Sequence, residues 1–417
     1  MIKDLASLLA PITDESFLTA FLAKRRLHAK SNDPTPAASL LSWATINRLI
    51  QSDVLPADRL RVVRANLDVP PAMFRSGGGG ARLRSSTLGS ILAQGASLVI
   101  NRIDELVPPI GRLSDAIERR LSSTVWVNAY LSFGRGSAFR SHWDSHDVLV
   151  LQVHGSKRWR GFGAPMASPI EGHGPKEPFP RDALWEDRLD PGDILYLPRG
   201  EIHEAALEGA RSVHLTIGIA PATGIDLLRS LAEDASANEA LRADVTALGG
   251  AAALLDQQER LKRHLHDLIE SVDLAKFLRS EDEKRKPRAL LNLGRIDNLN
   301  AETRVSPALR RMIPLFPERE SVLEIVIGAE PVRLSPPERR VLALLLARGP
   351  SSLGDLAAAL GVSRDSGETL EAVTQLANKA LVGVDGESSL SGIAEGGPIS
   401  ANQKQLSAPA LEDDDGR

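Results

Sequence analysis

Ser141-His142-Trp143-Asp144, followed about sixty residues later by Gly192-Asp193-Ile194-Leu195-Tyr196-Leu197-Pro198-Arg199-Gly200-Glu201-Ile202-His203, is the pair of segments on which the reading of this chain turns. Side chains at i and i+2 of a strand point to one face, so His142 and Asp144 are expected to look inward together from a β-barrel. His203, just beyond the Pro198-Arg199-Gly200 turn, adds a second imidazole. Two histidines and one carboxylate make a facial triad. Such a triad holds Fe(II) on one side and leaves the opposite coordination positions open for a cosubstrate and O2. The chemistry implied is that of an iron-dependent oxygenase. His146 shares parity with His142 and Asp144 and stays open as a rival ligand.

The surrounding sequence supports a barrel. Asp147-Val-Leu-Val-Leu-Gln-Val153 is strongly β-prone, His154-Gly155-Ser156 reads as a turn, and Lys157-Arg-Trp-Arg-Gly-Phe162 reads as the returning strand of a hairpin. Asp193 to Leu197 is a third short strand, and Ser212-Val-His-Leu-Thr-Ile-Gly-Ile219 a closing one. Short strands with turn signals between them predict a jelly roll. The chain holds only two tyrosines, Tyr130 and Tyr196, and four of its five tryptophans fall between Trp126 and Trp185. That clustering suggests a walled pocket near the triad. Ala164 to Pro180 is a Pro/Gly-rich insertion between barrel strands, typical of a lid or a substrate-gripping element.

The run Asn128-Ala-Tyr130-Leu-Ser-Phe, then His142-Trp-Asp144-Ser-His-Asp147-Val-Leu-Val-Leu-Gln152-Val-His-Gly155-Ser-Lys157-Arg-Trp159, resembles the JmjC-type cupin proteins of the ribosomal-oxygenase group. The likeness extends to Phe17-Leu-Thr-Ala-Phe-Leu-Ala-Lys24, to Gly95-Ala-Ser-Leu-Val-Ile-Asn101 and to Ser212-Val-His214-Leu-Thr216. It implies an Fe(II)- and 2-oxoglutarate-dependent dioxygenase that hydroxylates a C–H of a protein side chain, with Arg or His of a ribosomal protein as the expected acceptor. Carried over by position, His142, Asp144 and His203 are the catalytic metal ligands, Lys157 pairs with the distal carboxylate of 2-oxoglutarate, and Asn128, Tyr130 and Thr216 line the cosubstrate pocket. A buried cation such as Lys157 needs an anion, and a dicarboxylate supplies one. Ser132 departs from the Thr often found in the group.

The remaining features bound the function. A chain of 417 residues exceeds one compact core. A net charge of −4 gives no general attraction to nucleic acid. No apolar run approaches the ~18 residues of a membrane span, and Met1-Ile-Lys-Asp opens no signal segment. Without cysteine there are no disulfides, which fits a cytoplasmic protein.

The fold class expected is α+β: a double-stranded β-helix (jelly-roll, cupin) barrel with an N-terminal elaboration over 1–222, then a helical dimerisation segment and linker over 223–318. A winged-helix-like domain over 319–388 and a disordered tail over 389–417 complete the chain. Leu254, Leu261, Leu265 and Ile269 fall on one helical face and predict a homodimer. The charged run Glu281 to Arg288 reads as a solvated linker. Two other functions stay open: the same chemistry on a small molecule or peptide natural product, and a ligand-sensing regulator that performs no catalysis.

Overall fold

The computed structural model describes residues 2–51, 55–77, 82–134, 139–288 and 299–384. The tail expected over 389–417 lies outside them. The centre of the fold is an antiparallel sheet. Across it run Leu27–Ala29, Ile194–Leu197, Asp147–Gly161, His203–Ala220, Thr124–Phe133, Ser97–Ile100, Leu60–Arg64 and Leu67–Asp68, with Trp185–Leu189 paired to the outer half of Asp147–Gly161.

Two of these strands are long enough to serve both walls of a barrel. Asp147–Gly161 is one continuous strand, so the hairpin expected at His154-Gly155-Ser156 is not there. His203–Ala220 follows both of its halves, pairing His203 to Glu208 with the outer half and Val213 to Ile219 with the inner half. The pairing shifts register between Glu208 and Val213, which bends the strand pair instead of ending it. Gly155 stands at this bend with φ 62°, and a Cβ there would sit 2.1 Å from the Arg211 carbonyl oxygen. Only glycine tolerates both conditions. A Gly-Ser pair looks like a turn in sequence, but here a partner strand continues past it.

Strand alternation separates two apolar layers. Leu149, Leu151, Val153, Val127, Leu215 and Ile217 face outward and pack with Phe17, Ile46, Leu113 and Ile117 of the N-terminal helices. Val148, Val150, Trp159, Leu189, Leu195 and Leu197 face inward and fill the barrel. Tyr196 belongs to the outer layer. Its hydroxyl donates to Asp147 Oδ2 at 2.8 Å and accepts the Ala23 N–H at 2.7 Å, so this tyrosine walls no pocket.

Beyond the barrel come the helices Gly224–Ala235, Gly250–Glu270 and Leu274–Glu283. The first two bury no residue of their own, and Leu228, Leu254, Leu255, Leu265 and Ile269 are exposed. A second core follows, built from the helices Pro336–Arg348, Leu353–Ala359 and Gly367–Asn378 and a three-stranded sheet of Ser351–Ser352, Arg304–Pro307 and Val382–Val384. It takes in Val305, Leu309 and Leu315.

The run expected to be a solvated linker is instead half-buried and, together with Arg310 and Arg311, forms a joint against buried acids. Arg288 forms two 2.8 Å hydrogen bonds to the Asp115 carboxylate and one of 2.7 Å to the Asp104 carbonyl. Arg285 and Arg310 meet Glu118 at 2.8 and 2.7 Å, and Arg311 donates to the Ser123 carbonyl at 2.7 Å. Asp104, Asp115 and Glu118 are buried. Carboxylates at that depth require fixed cationic partners, and the arginines of this stretch supply them.

Candidate metal and cosubstrate site

The segment carrying His142 and Asp144 is not a regular strand. His142 makes a single bridge with His203, closed by the bonds His142 N–H to His203 O (3.0 Å) and His203 N–H to His142 O (2.8 Å). The Asp144 carbonyl then accepts the Gly200 N–H at 2.9 Å. Regular strand resumes only at Asp147, whose carboxylate caps the Arg199 N–H at 2.8 Å. Convergence of the ligands therefore comes from the bridge and the 198–200 turn, not from i, i+2 geometry on a strand.

Ligand atoms of His142, Asp144 and His203 lie within 4.8 Å of one another. His142 Nδ1 is 3.0 Å from the Arg140 carbonyl oxygen, and His203 Nδ1 is 2.8 Å from that of Glu201. A carbonyl can only accept, so each ring carries its proton on Nδ1 and presents a bare Nε2. His203 Nε2 faces Asp144 Oδ2 at 3.6 Å. Burial, and then the neighbouring His142, push the His203 pKa down to about 4, which keeps it neutral and able to ligate. Two free imidazole nitrogens and a carboxylate oxygen at this spacing fit a divalent first-row metal. His146 turns away. Its ring stacks on Trp126, with centroids 4.6 Å apart, and it is no member of the group.

The residues expected to contact the cosubstrate are brought together by cross-strand pairs. Asn128 sits opposite Thr216, and Tyr130 opposite His214. All four share one face of the sheet. Asn128 is fixed by accepting the Arg102 N–H at 3.0 Å. Burial, with Asp144 nearby, raises the Tyr130 hydroxyl to about 12. Lys157 is buried, and among the described residues no carboxylate pairs with it. Burial alone pulls its pKa down to about 7. His214 was not singled out by sequence. Its pKa is held well below the ordinary value, by burial first and then by Lys157, and its Nδ1 is buried without a partner. Trp159 joins the two halves, stacked on His203 at 5.8 Å and edge-on to His214 at 5.5 Å. A His on an alternating strand carries no sequence sign of this role; only the partner strand reveals it.

A JmjC domain profile matches residues 104–227. The chain is 26% identical over 218 residues to the bifunctional lysine-specific demethylase and histidyl-hydroxylase NO66 of Drosophila mojavensis, which covers 51% of this chain and 24% of that protein. It is 27% identical over 217 residues to ribosomal oxygenase 2 of Mus musculus, covering 51% of this chain and 46% of that protein. The chain thus spans less than half the length of these curated relatives. In fold it is similar to the Escherichia coli ribosomal oxygenase YcfD in complex with cobalt and 2-oxoglutarate, with a TM-score of 0.54, 17% identity, and 90% of this chain and 99% of that one covered. Residues 104–227 therefore match the JmjC domain, on a chain that is similar to the ribosomal oxygenases.

Proposed function

We propose that the protein is an Fe(II)- and 2-oxoglutarate-dependent dioxygenase that hydroxylates a protein side chain. The observation that carries this reading is the convergence of two bare Nε2 atoms and one carboxylate, together with a buried lysine that has no carboxylate partner among the described residues. His142, Asp144 and His203 hold the metal. When bound, the metal supplies activation of O2 coupled to oxidative decarboxylation of 2-oxoglutarate to succinate and CO2. Lys157 donates to the distal carboxylate of the cosubstrate, a charge-assisted bond in a desolvated place. Asn128, Tyr130, Thr216 and His214 shape the pocket, with the Tyr130 hydroxyl kept protonated as a donor. Trp159 covers the floor between His203 and His214 and excludes water there.

The relatives named as histidyl-hydroxylase and ribosomal oxygenase make an Arg or His side chain of a ribosomal protein the acceptor to test first. A cytoplasmic place of action fits such an acceptor. The exposed apolar residues of helix Gly250–Glu270 support a homodimer, and the helices and small sheet of the last segment support a winged-helix-like unit without a nucleic-acid role. No helix among the described residues is long and apolar enough to cross a membrane.

The test is to incubate the protein with Fe(II), 2-oxoglutarate and ribosomes or lysate. Succinate release and a gain of one oxygen on a protein side chain, both absent in His203→Ala, support the reading. Turnover that proceeds equally in His203→Ala overturns it. Oxygen incorporated only into a small molecule or free peptide would move the assignment to that substrate class.

A further inference from the structure

The 162–184 connection between Asp147–Gly161 and Trp185–Leu189 contains no helix or regular strand, yet it is fastened to both ligand-bearing segments. Trp143, the residue between His142 and Asp144, donates from Nε1 to the Pro175 carbonyl at 3.0 Å. Its ring lies against Gly174 so closely that a Cβ there would stand 2.1 Å from Cζ2. Ile170 and His173 shape the intervening turn through mutual backbone bonds of 3.0 and 2.9 Å. Pro169 rests on Gly200, where a Cβ would meet Pro169 Cγ at 2.7 Å. Gly200 is also the residue whose N–H holds the Asp144 carbonyl. At the far end, Trp185 Nε1 donates to Glu201 Oε1 at 2.9 Å, and the Glu201 carbonyl orients His203.

The Phe162 N–H donates to the Ile202 carbonyl at 2.8 Å and the Gly163 carbonyl accepts the Ile202 N–H at 2.9 Å, so the connection touches a backbone neighbour of every member of the triad and supplies no ligand itself. Its two tightest contacts use glycines as seats, one on each partner: Gly174 receives the Trp143 ring, and Gly200 receives Pro169. Backbone bonds of Phe162, Gly163 and Leu184 hold the two ends of the coil, and between them, apart from these seats, it exposes Glu171, Lys176, Glu177, Arg181 and Asp182.

We propose that the 162–184 connection is a lid whose seating is linked to metal occupancy through Trp143, which acts as a positioning residue. A metal that fixes the His142 and Asp144 side chains fixes the backbone between them, and with it the indole that receives Gly174 and Pro175. Linkage is reciprocal: what the metal contributes to seating the lid, the seated lid contributes to metal affinity. The inference rests on the triad holding a divalent metal, as in the proposed function.

The experiment uses the full chain, Co(II) as the probe and two readouts. Co(II) affinity is measured by titration, and lid seating by the rate of trypsin cleavage after the exposed Lys176 and Arg181, with fragments identified by mass. Co(II) is expected to slow cleavage at both positions in the wild type. Trp143→Phe keeps a ring but loses the N–H, and should bind Co(II) about 2- to 10-fold more weakly, the range of one neutral hydrogen bond. Gly174→Ala leaves the ligand segment unaltered and obstructs the seat. It should lose both the Co(II) protection and part of the Co(II) affinity while unfolding thermally as the wild type does. A residue that merely packs would not alter metal affinity from inside the connection. Wild-type affinity and protection in both variants overturn the inference, as does Co(II) binding that leaves cleavage unchanged. Failure of the wild type to bind Co(II) at all overturns the proposed function itself, and the lid with it.

Discussion

The Tyr130 ring lies flat on the His214 imidazole, with centroids 5.0 Å apart and planes 7° from parallel. The two residues are directly opposed on neighbouring strands, and the imidazole also faces Lys157. Its buried Nδ1 has no partner among the described residues, which is costly unless a ligand uses it. His214→Phe keeps the stack and removes that atom. We expect a melting temperature no lower than the wild type, with weaker 2-oxoglutarate binding by calorimetry. A variant that melts lower and binds normally would make His214 a packing residue.

Lys157→Ala removes one charge-assisted bond, worth roughly 1.5–3 kcal/mol, or about 10- to 150-fold in 2-oxoglutarate affinity. Metal affinity stays near that of the wild type, because no ligand is altered. A wild-type half-saturating concentration in the metal-loaded variant would refute the pairing.

The same lysine predicts two pH effects. Its folded pKa, about 7, lies below the unfolded value of 10.5, so the unfolded chain binds more protons between them. The penalty for burying the charge is present below pH 7 and is relieved as pH rises towards 10.5. The ligand-free protein should therefore gain stability across that window relative to Lys157→Met, as read by denaturant midpoints. In the metal-loaded protein the dianionic cosubstrate needs the charged form, so its binding takes up a proton above pH 7. Its affinity should fall by up to about tenfold per pH unit. Calorimetry in buffers of different ionisation enthalpy reads that proton directly.

His203→Ala and Asp144→Ala should abolish stoichiometric Co(II) or Mn(II) binding, whereas His146→Ala, which loses only a stack on Trp126, retains it. Equal loss in all three would point to unfolding and not to ligation.

The convergence of His142, Asp144 and His203 could be read from sequence because Gly-Asp-x-Leu-x-Leu-Pro-x-Gly-x-x-His and His-x-Asp each tie a chemical group to a local turn. Everything that depends on a distant partner was hidden. Gly155 looks like a hairpin turn until the His203–Ala220 strand is seen running past it. Glu281 to Arg288 looks like a solvated charge run because its acidic partners, Asp104, Asp115 and Glu118, lie more than 160 residues away in sequence. Trp143 reads as a pocket wall, and only the fold shows Gly174 against it.

Arg288→Ala leaves the buried Asp115 carboxylate with only the longer 3.5 Å contact to Arg310 and takes the guanidinium from the Asp104 carbonyl. Removing one member of a buried pair costs about 3–5 kcal/mol. A denaturant midpoint close to that of the wild type would show that water replaces the arginine at no cost.

The third helix of the last segment, Gly367–Asn378, carries Glu368 and Glu371 and no basic residue, and Glu368 is paired with Arg340. Phosphate recognition needs lysine or arginine on such a face. No gel shift with duplex DNA is expected at low micromolar protein and moderate salt; a salt-sensitive shift would reverse that expectation.

The arginine joint also separates two things that a sequence comparison merges: the piece that is recognisable and the piece that can exist by itself. The recognisable segment stops at residue 227, yet three of its acidic side chains, Asp104, Asp115 and Glu118, are paired with arginines between 285 and 311. Expressed alone, that segment would carry an electrostatic debt inside its own wall. The joint therefore ties the matched segment to residues well past its own end, so the limits of the family match and the reach of its ion pairs fall at different places.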